Sequence, residues 1–160
     1  MTLKSNVSVL VTATLAAAPE VGVAAARIQE TFSRSFANGV GAGQANNIFA
    51  DEFSISGAGT QTYDLAGGIA NALGQVLTFT AIKALVLVNT GTAALTYGGG
   101  SNPFLGWLGD ASDEIVIPAG GMLTLTDPTA EGQAVTPSTG DIITIGGTNA
   151  AGTIIIIGEA

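Results

Sequence analysis

The 160-residue chain contains no histidine and no cysteine, and its basic side chains number only four: Lys4, Arg27, Arg34 and Lys83. Each scarcity removes a class of chemistry. Without histidine the commonest general acid–base group is missing. Without cysteine there is no thiolate nucleophile, no disulfide framework and no cysteine-held zinc. Four cations scattered along the sequence offer no clamp for an anionic substrate. The expectation is a structural or binding protein, with no enzymatic activity and no cofactor.

Charge is scarce altogether. Charged residues make up 10% of the chain, against about 25% in ordinary globular domains. Acids outnumber bases twelve to four, for a formal net charge of −8. No basic run exists to neutralise phosphates, so nucleic acid is not an expected partner. Mean hydropathy is high at +0.50, yet no segment reaches the roughly 18 uninterrupted apolar residues of a membrane helix, and no membrane association is expected. A surface of Thr, Ser, Gly and Ala loses little hydration when a neighbour docks, whereas Lys and Glu would resist it. Such a surface suits self-association, as a trimer or dimer, and burial within a larger assembly.

The apolar residues alternate with a period of two. Val7, Val9, Val11, Ala13 and Leu15 share one face while Ser8, Thr12 and Thr14 share the other, the pattern of a half-buried strand. Lys4 and the stretch from Val7 to Ala18 loosely imitate a secretory signal, but the polar interruptions favour the strand. The same alternation recurs in Phe53–Ser56, Leu77–Thr80, Ile115–Ile117 and Leu123–Thr126. Ala84–Val88 and Ile154–Ile157 are apolar throughout, as central strands covered on both faces by a second sheet or a partner subunit would be. Asn89-Thr90-Gly91, Gly98-Gly99-Gly100, Ala119-Gly120-Gly121 and Thr139-Gly140-Asp141 punctuate these runs at the spacing of sandwich turns. The glycine clusters lack the Gly-x-x-x-x-Gly-Lys-Ser/Thr pattern of a phosphate loop.

The expected fold is therefore all-β: an antiparallel β-sandwich, jelly-roll-like, with at most one or two short helices. Residues 1–20 form an N-terminal strand or arm without an obvious hairpin partner, free to add an edge strand to a neighbouring subunit. Residues 21–160 form a single sandwich domain. Residues 20–37 carry signals for both helix and strand. Pro19-Glu20 and the four-residue spacing of Ile28, Phe32 and Phe36 resemble a capped helix, whereas the alternation of Thr31, Ser33 and Ser35 with Phe32 favours a strand over 27–36, which is the reading adopted. A shorter helical connector is expected over Gly68–Leu73, with Ile69 and Leu73 inward and Gly74 as its stop.

The succession Tyr63-Asp64-Leu65-Ala66-Gly67-Gly68, a strand from Leu77 to Val88 ending in Asn89-Thr90, Asn102-Pro103-Phe104, Pro118-Ala119-Gly120-Gly121, Val135-Thr136, Thr139-Gly140-Asp141 and a hydrophobic strand closing on Gly158 resembles small virion structural proteins of tailed bacteriophages. The resemblance covers residues 27–160. It implies a sandwich that binds the outside of the capsid as a decoration or cement protein, with the major capsid protein as partner. Tail and fibre modules that recognise a receptor or carbohydrate share such folds and form the alternative.

Two groups stand out as candidate partner contacts. Val7, Val9 and Val11 form the apolar face of the N-terminal strand, and Phe104 and Trp107 are aromatic anchors of the kind that dominate interfaces, unless they cap the core instead. Asp110, Asp113 and Glu114 beside Trp107 could hold Ca²⁺ with help from Asp127 and Glu131 or Asp51 and Glu52, but the spacing is not that of an EF-hand, and a solvated loop is the expected reading. Paired carboxylates alone are weak evidence for a glycosidase, since the chain has few aromatic platforms for sugar rings.

Overall fold

A computed structural model of the chain describes residues 2–17 and 24–160. The helix cap expected at Pro19-Glu20 and the domain boundary at 20/21 lie outside the described residues. Among those described there is no helix, and the molecule is an all-β, sandwich-like fold.

Strands β1 (Ser5–Ala17) and β2 (Ala24–Asn38) pair antiparallel along their whole length, from Ser5 opposite Phe36 to Ala17 opposite Ala24. The N-terminal strand therefore has a partner within its own chain, and the expected one-stranded arm is half of a two-stranded ribbon. Residues 27–36 are strand, as the alternation predicts. After β2 the chain turns through Gly39–Gly43 into β3 (Gln44–Ala45), which pairs parallel with the end of β2.

The body is organised by one long antiparallel pair, β4 (Asn47–Asp64) with β12 (Ile142–Glu159), each 18 residues long. This pair is folded over itself. Its bend lies where Ser56 and Gly57 of β4 oppose the single residue Asn149 of β12, a β-bulge with Gly57 at φ 68° and Asn149 at φ 50°. A bulge with glycine in the left-handed region kinks a strand and increases its twist. Asn149 Oδ1 accepts the Gly57 N–H at 2.8 Å and fixes the corner. As a result Phe49 and Tyr63, on opposite halves of β4, meet edge-on with ring centroids 5.4 Å apart.

Between β4 and the next long strand the chain forms a small hairpin, β5 (Ile69–Ala70) with β6 (Val76–Leu77), closed by Asn71, whose Oδ1 accepts the N–H groups of Leu73 and Gln75. The helix expected over Gly68–Leu73 is not present: Ile69 is buried as expected, but Leu73 lies at the exposed turn. Asparagine's habit of bonding the backbone ahead of it selects the turn over the helix. The strand expected over Leu77–Thr80 shortens to β6, although Leu77 and Phe79 are both buried.

The remaining strands extend each half of the folded pair. β7 (Ala81–Asn89) joins the C-terminal half of β12 and carries β10 (Met122–Thr126) at its far edge, with β11 (Gln133–Ala134) beside its start. β8 (Leu95–Gly98) joins the N-terminal half of β12 and carries β9 (Glu114–Ile117). The first sheet thus reads β4-β12-β7-β10 and the second β4-β12-β8-β9. Their inner faces share one core, including Phe53, Leu85, Leu87, Leu95, Tyr97 and Ile156. The two all-apolar stretches are the central strands, as predicted, because β7 and the C-terminal half of β12 are covered on the inside by the second sheet and partly covered on the outside by the ribbon.

Candidate functional site

The ribbon is amphipathic. Residues opposite one another in an antiparallel pair share a face, so Val7, Val9, Val11, Ala13 and Leu15 lie beside Arg34, Phe32, Glu30, Ile28 and Ala26. The other face carries Asn6, Ser8, Leu10, Thr12 and Thr14 beside Ser35, Ser33, Thr31, Gln29 and Arg27. Two alternating sequences in matching register thus create one mostly apolar surface, interrupted by Glu30 and Arg34, and one largely polar surface.

The apolar face is covered only at its root. Phe36, 2% exposed, packs on Ala84 of β7 and Ile157 of β12, on the outer face of the first sheet, with Leu3 and Val7 against the same cluster. Asn38 Oδ1 accepts the Leu3 N–H at 2.9 Å. Glu159 Oε1 accepts the Gly41 N–H at 2.9 Å and the Lys83 ammonium at 2.9 Å. Lys83 is fully buried and also donates to the carbonyls of Thr129 and Ala130 at 2.8 and 2.7 Å. All three of its protons are thereby used, which offsets the cost of burying the charge.

From this root the ribbon passes over the outer face of the first sheet from β12 and β7 to β10. Ile157, Ala84 and Thr126 are register neighbours on β12, β7 and β10. Phe36 sits on the first two, and a groove of about 360 Å³ opens where Val9, Phe32 and Arg34 pass Thr124 and Thr126 of β10. Since β10 is the sheet edge, the rest of the ribbon overhangs it. Beyond that edge Val11, Leu15 and Ile28 are 46%, 76% and 59% exposed, and Phe32 at the edge is 65% exposed. The sequence-predicted Val7 and Val9 are half-buried at the root, and Val11 is the first residue of the overhang. Ile28 and Phe32 belong to the same face and were not among the partner contacts expected from the sequence. Their signal is the two-residue spacing of Ile28, Glu30, Phe32, Arg34 and Phe36, which matches that of Val7 to Leu15.

The second predicted group does not form an exposed anchor. Phe104 is 2% exposed and Trp107, half-buried, stacks edge-on against it at 6.2 Å, so both close one end of the core. Phe104 N–H donates to the Ile142 carbonyl at 2.8 Å, which anchors this segment against the start of β12.

The acidic loop spends its carboxylates on its own backbone. Asp113 Oδ2 accepts the N–H groups of Gly109 and Asp110 at 3.0 and 2.9 Å, and Asp110 Oδ1 accepts the N–H and hydroxyl of Ser112 at 3.0 and 2.9 Å. The Ser112 bonds hold the Asp110 carboxyl below its ordinary range. Asp127 is likewise lowered, chiefly by the Thr129 hydroxyl, and also bonds Gln133 at 2.6 Å. Asp51 accepts the Tyr63 hydroxyl at 2.9 Å. Among the described residues no three acidic side chains converge as a metal cage.

No protein-family model matches the chain, and no curated protein matches it. Among solved structures it is similar to one titled as the crystal structure of PirA, with 15% identity and a TM-score of 0.35 over 69% of this chain and 93% of that one. Values that low establish neither a shared fold nor a shared function.

Proposed function

We propose that the chain is a structural virion protein that binds the outer surface of a tailed-phage capsid and reinforces contacts between capsid subunits. One observation carries this reading: a two-stranded ribbon overhangs the sandwich and leaves an apolar face open to water. At about 3.3 Å per residue, its 13-residue strand β1 spans about 40 Å. Exposed apolar area of this kind marks an interaction surface. The rest of the molecule supplies what a cement protein needs: a stiff antiparallel body, few charges to desolvate, and a net charge that keeps free subunits apart before assembly. Many modest contacts repeated over a shell gain strength through avidity.

The test is a copy count in purified particles. Hundreds of copies per particle, lost together with resistance of the shell to heat or osmotic shock when the gene is deleted, are expected. A handful of copies confined to the tail would overturn the reading in favour of a receptor-recognition module.

A further inference from the structure

The mostly apolar face of the ribbon carries two charges. Glu30 lies opposite Val11 and Arg34 opposite Val7, with Phe32 and Val9 paired between them. The two are four residues apart on β2, about 13 Å at 3.3 Å per residue, too far to pair with each other. Both are exposed, and among the described residues the one ion pair is Lys83 with Glu159. A charge that loses its water to a docking surface and gains no partner is strongly unfavourable. Any surface that covers this face must therefore answer both.

Arg34 has the setting of a carboxylate seat. It lines the groove of about 360 Å³ together with Val7, Val9 and Phe32 of the ribbon and Thr124 and Thr126 of β10. Within the chain its Nη1 donates to the carbonyl of its own neighbour Ser33 at 3.2 Å, which leaves most of the five guanidinium N–H groups for a ligand. A planar fork beside two threonines suits a carboxylate, which accepts from guanidinium and hydroxyl alike. A nucleic acid would call for several cations, and Arg34 is the one charged residue of the groove. Its apolar walls fit an acid carried on an apolar protein surface.

We propose, on the strength of the capsid reading, that the surface of the major capsid protein meets this face with an acid and a base about 13 Å apart. The carboxylate enters the groove onto Arg34, the cation pairs with Glu30, and apolar side chains between them pack on Phe32 and Val9. The order of the two charges gives the contact a direction. An apolar strip alone accepts a partner either way round, whereas the reversed docking sets like charges against each other at both places and is rejected. The acid therefore lies toward the body of the sandwich and the base toward the far end of the ribbon, and every copy binds in one orientation.

The test titrates the purified full chain onto particles that lack it and reads binding by co-sedimentation. Exchanging the two charges, Glu30→Arg with Arg34→Glu, keeps the net charge and should weaken binding by about a hundredfold. Far-ultraviolet circular dichroism should not change, because both side chains are exposed. Arg34→Gln should reproduce much of the loss, whereas Arg27→Gln, which removes the same charge from the opposite face, should bind as wild type. Capsid variants selected to restore binding of Arg34→Glu should replace an exposed Asp or Glu. Wild-type binding that survives the exchange overturns this inference and leaves the capsid reading standing. Equal losses for Arg27→Gln and Arg34→Gln do the same, since overall charge alone would then be acting. A wild-type chain that does not bind the particles overturns the capsid reading, and the pairing with it.

Discussion

Lys83 Nζ lies 2.9 Å from Glu159 Oε1, with the lysine wholly buried and the glutamate nearly so. The pair joins four segments that the sequence separates: β7, the end of β12, the 127–132 loop through the Thr129 and Ala130 carbonyls, and the ribbon root through the Gly41 N–H. Removing one member strands the other charge in the interior, at a cost of about 3–5 kcal/mol, while replacing both by apolar residues of similar size is often nearly neutral. Lys83→Met should therefore be strongly destabilising in urea unfolding, and Lys83→Met with Glu159→Leu should recover most of the loss.

Phe36 is the hinge pin of the ribbon. Phe36→Ala removes the ring from its seat on Ala84 and Ile157, and comparable truncations cost about 3–5 kcal/mol where the gap cannot close. The loss should concentrate locally, with amide exchange accelerating over Ser5–Ala17 and Ala24–Asn38 more than over β7 or β12. Uniform acceleration would show that the ribbon root is integral to the sandwich.

The two tyrosines, Tyr63 and Tyr97, both have their hydroxyl pKa raised by burial, with Asp51 adding to the effect at Tyr63. A folded-state pKa above the unfolded value of about 10 stabilises the fold fully below that pH and progressively less above it, because the unfolded chain alone gives up its protons. Tyrosinate absorbance should show no step near pH 10 while the chain is folded, and both residues should ionise together as it unfolds in stronger alkali.

Tyr97 and Tyr63 should respond oppositely to losing their hydroxyls. The Tyr97 hydroxyl is buried with no hydrogen-bond partner among the described residues, whereas that of Tyr63 donates to Asp51. Tyr97→Phe is expected to be neutral or stabilising in thermal unfolding, and Tyr63→Phe to cost about 1 kcal/mol.

Gly57 sets the corner of the folded pair with φ 68°. A side chain there enters the left-handed region at a cost of about 1–2 kcal/mol, so Gly57→Ala should lower the unfolding midpoint. Gly59→Ala, in extended backbone with only an ordinary contact to Ile55, should be tolerated and serves as the control.

The sandwich class was legible because period-two alternation and turn glycines are local signals. Val7–Leu15, Ile115–Ile117 and Leu123–Thr126 needed no knowledge of their partners, and Ala84–Val88 announced burial on both faces by being apolar throughout. Partnering itself was not legible. That β1 pairs with β2 follows from matching two alternations across a break, and the helical four-residue spacing of Ile28, Phe32 and Phe36 competes with the strand spacing of the same residues. Pairing resolves the tie, since each also lies opposite a residue of β1. Gly68–Leu73 was misread because the Asn71 side chain, with two backbone donors within reach, outweighs helix propensity over so short a stretch. Phe104 was judged by residue type, and its burial depends on its segment docking against Ile142, a contact distant in sequence.

The bend at Gly57 and Asn149 places β12 at the centre of both sheets, with β4 on one flank throughout and β7 and β8 sharing the other. Every one of those neighbours precedes it on the ribosome. Neither layer can be completed by the segments made earlier, so the sandwich assembles in a single late event dominated by contacts distant in sequence, which makes folding slow and cooperative. Until β12 emerges, the apolar faces of β4 and β7 wait uncovered, and that interval is when the nascent chain is most exposed to aggregation.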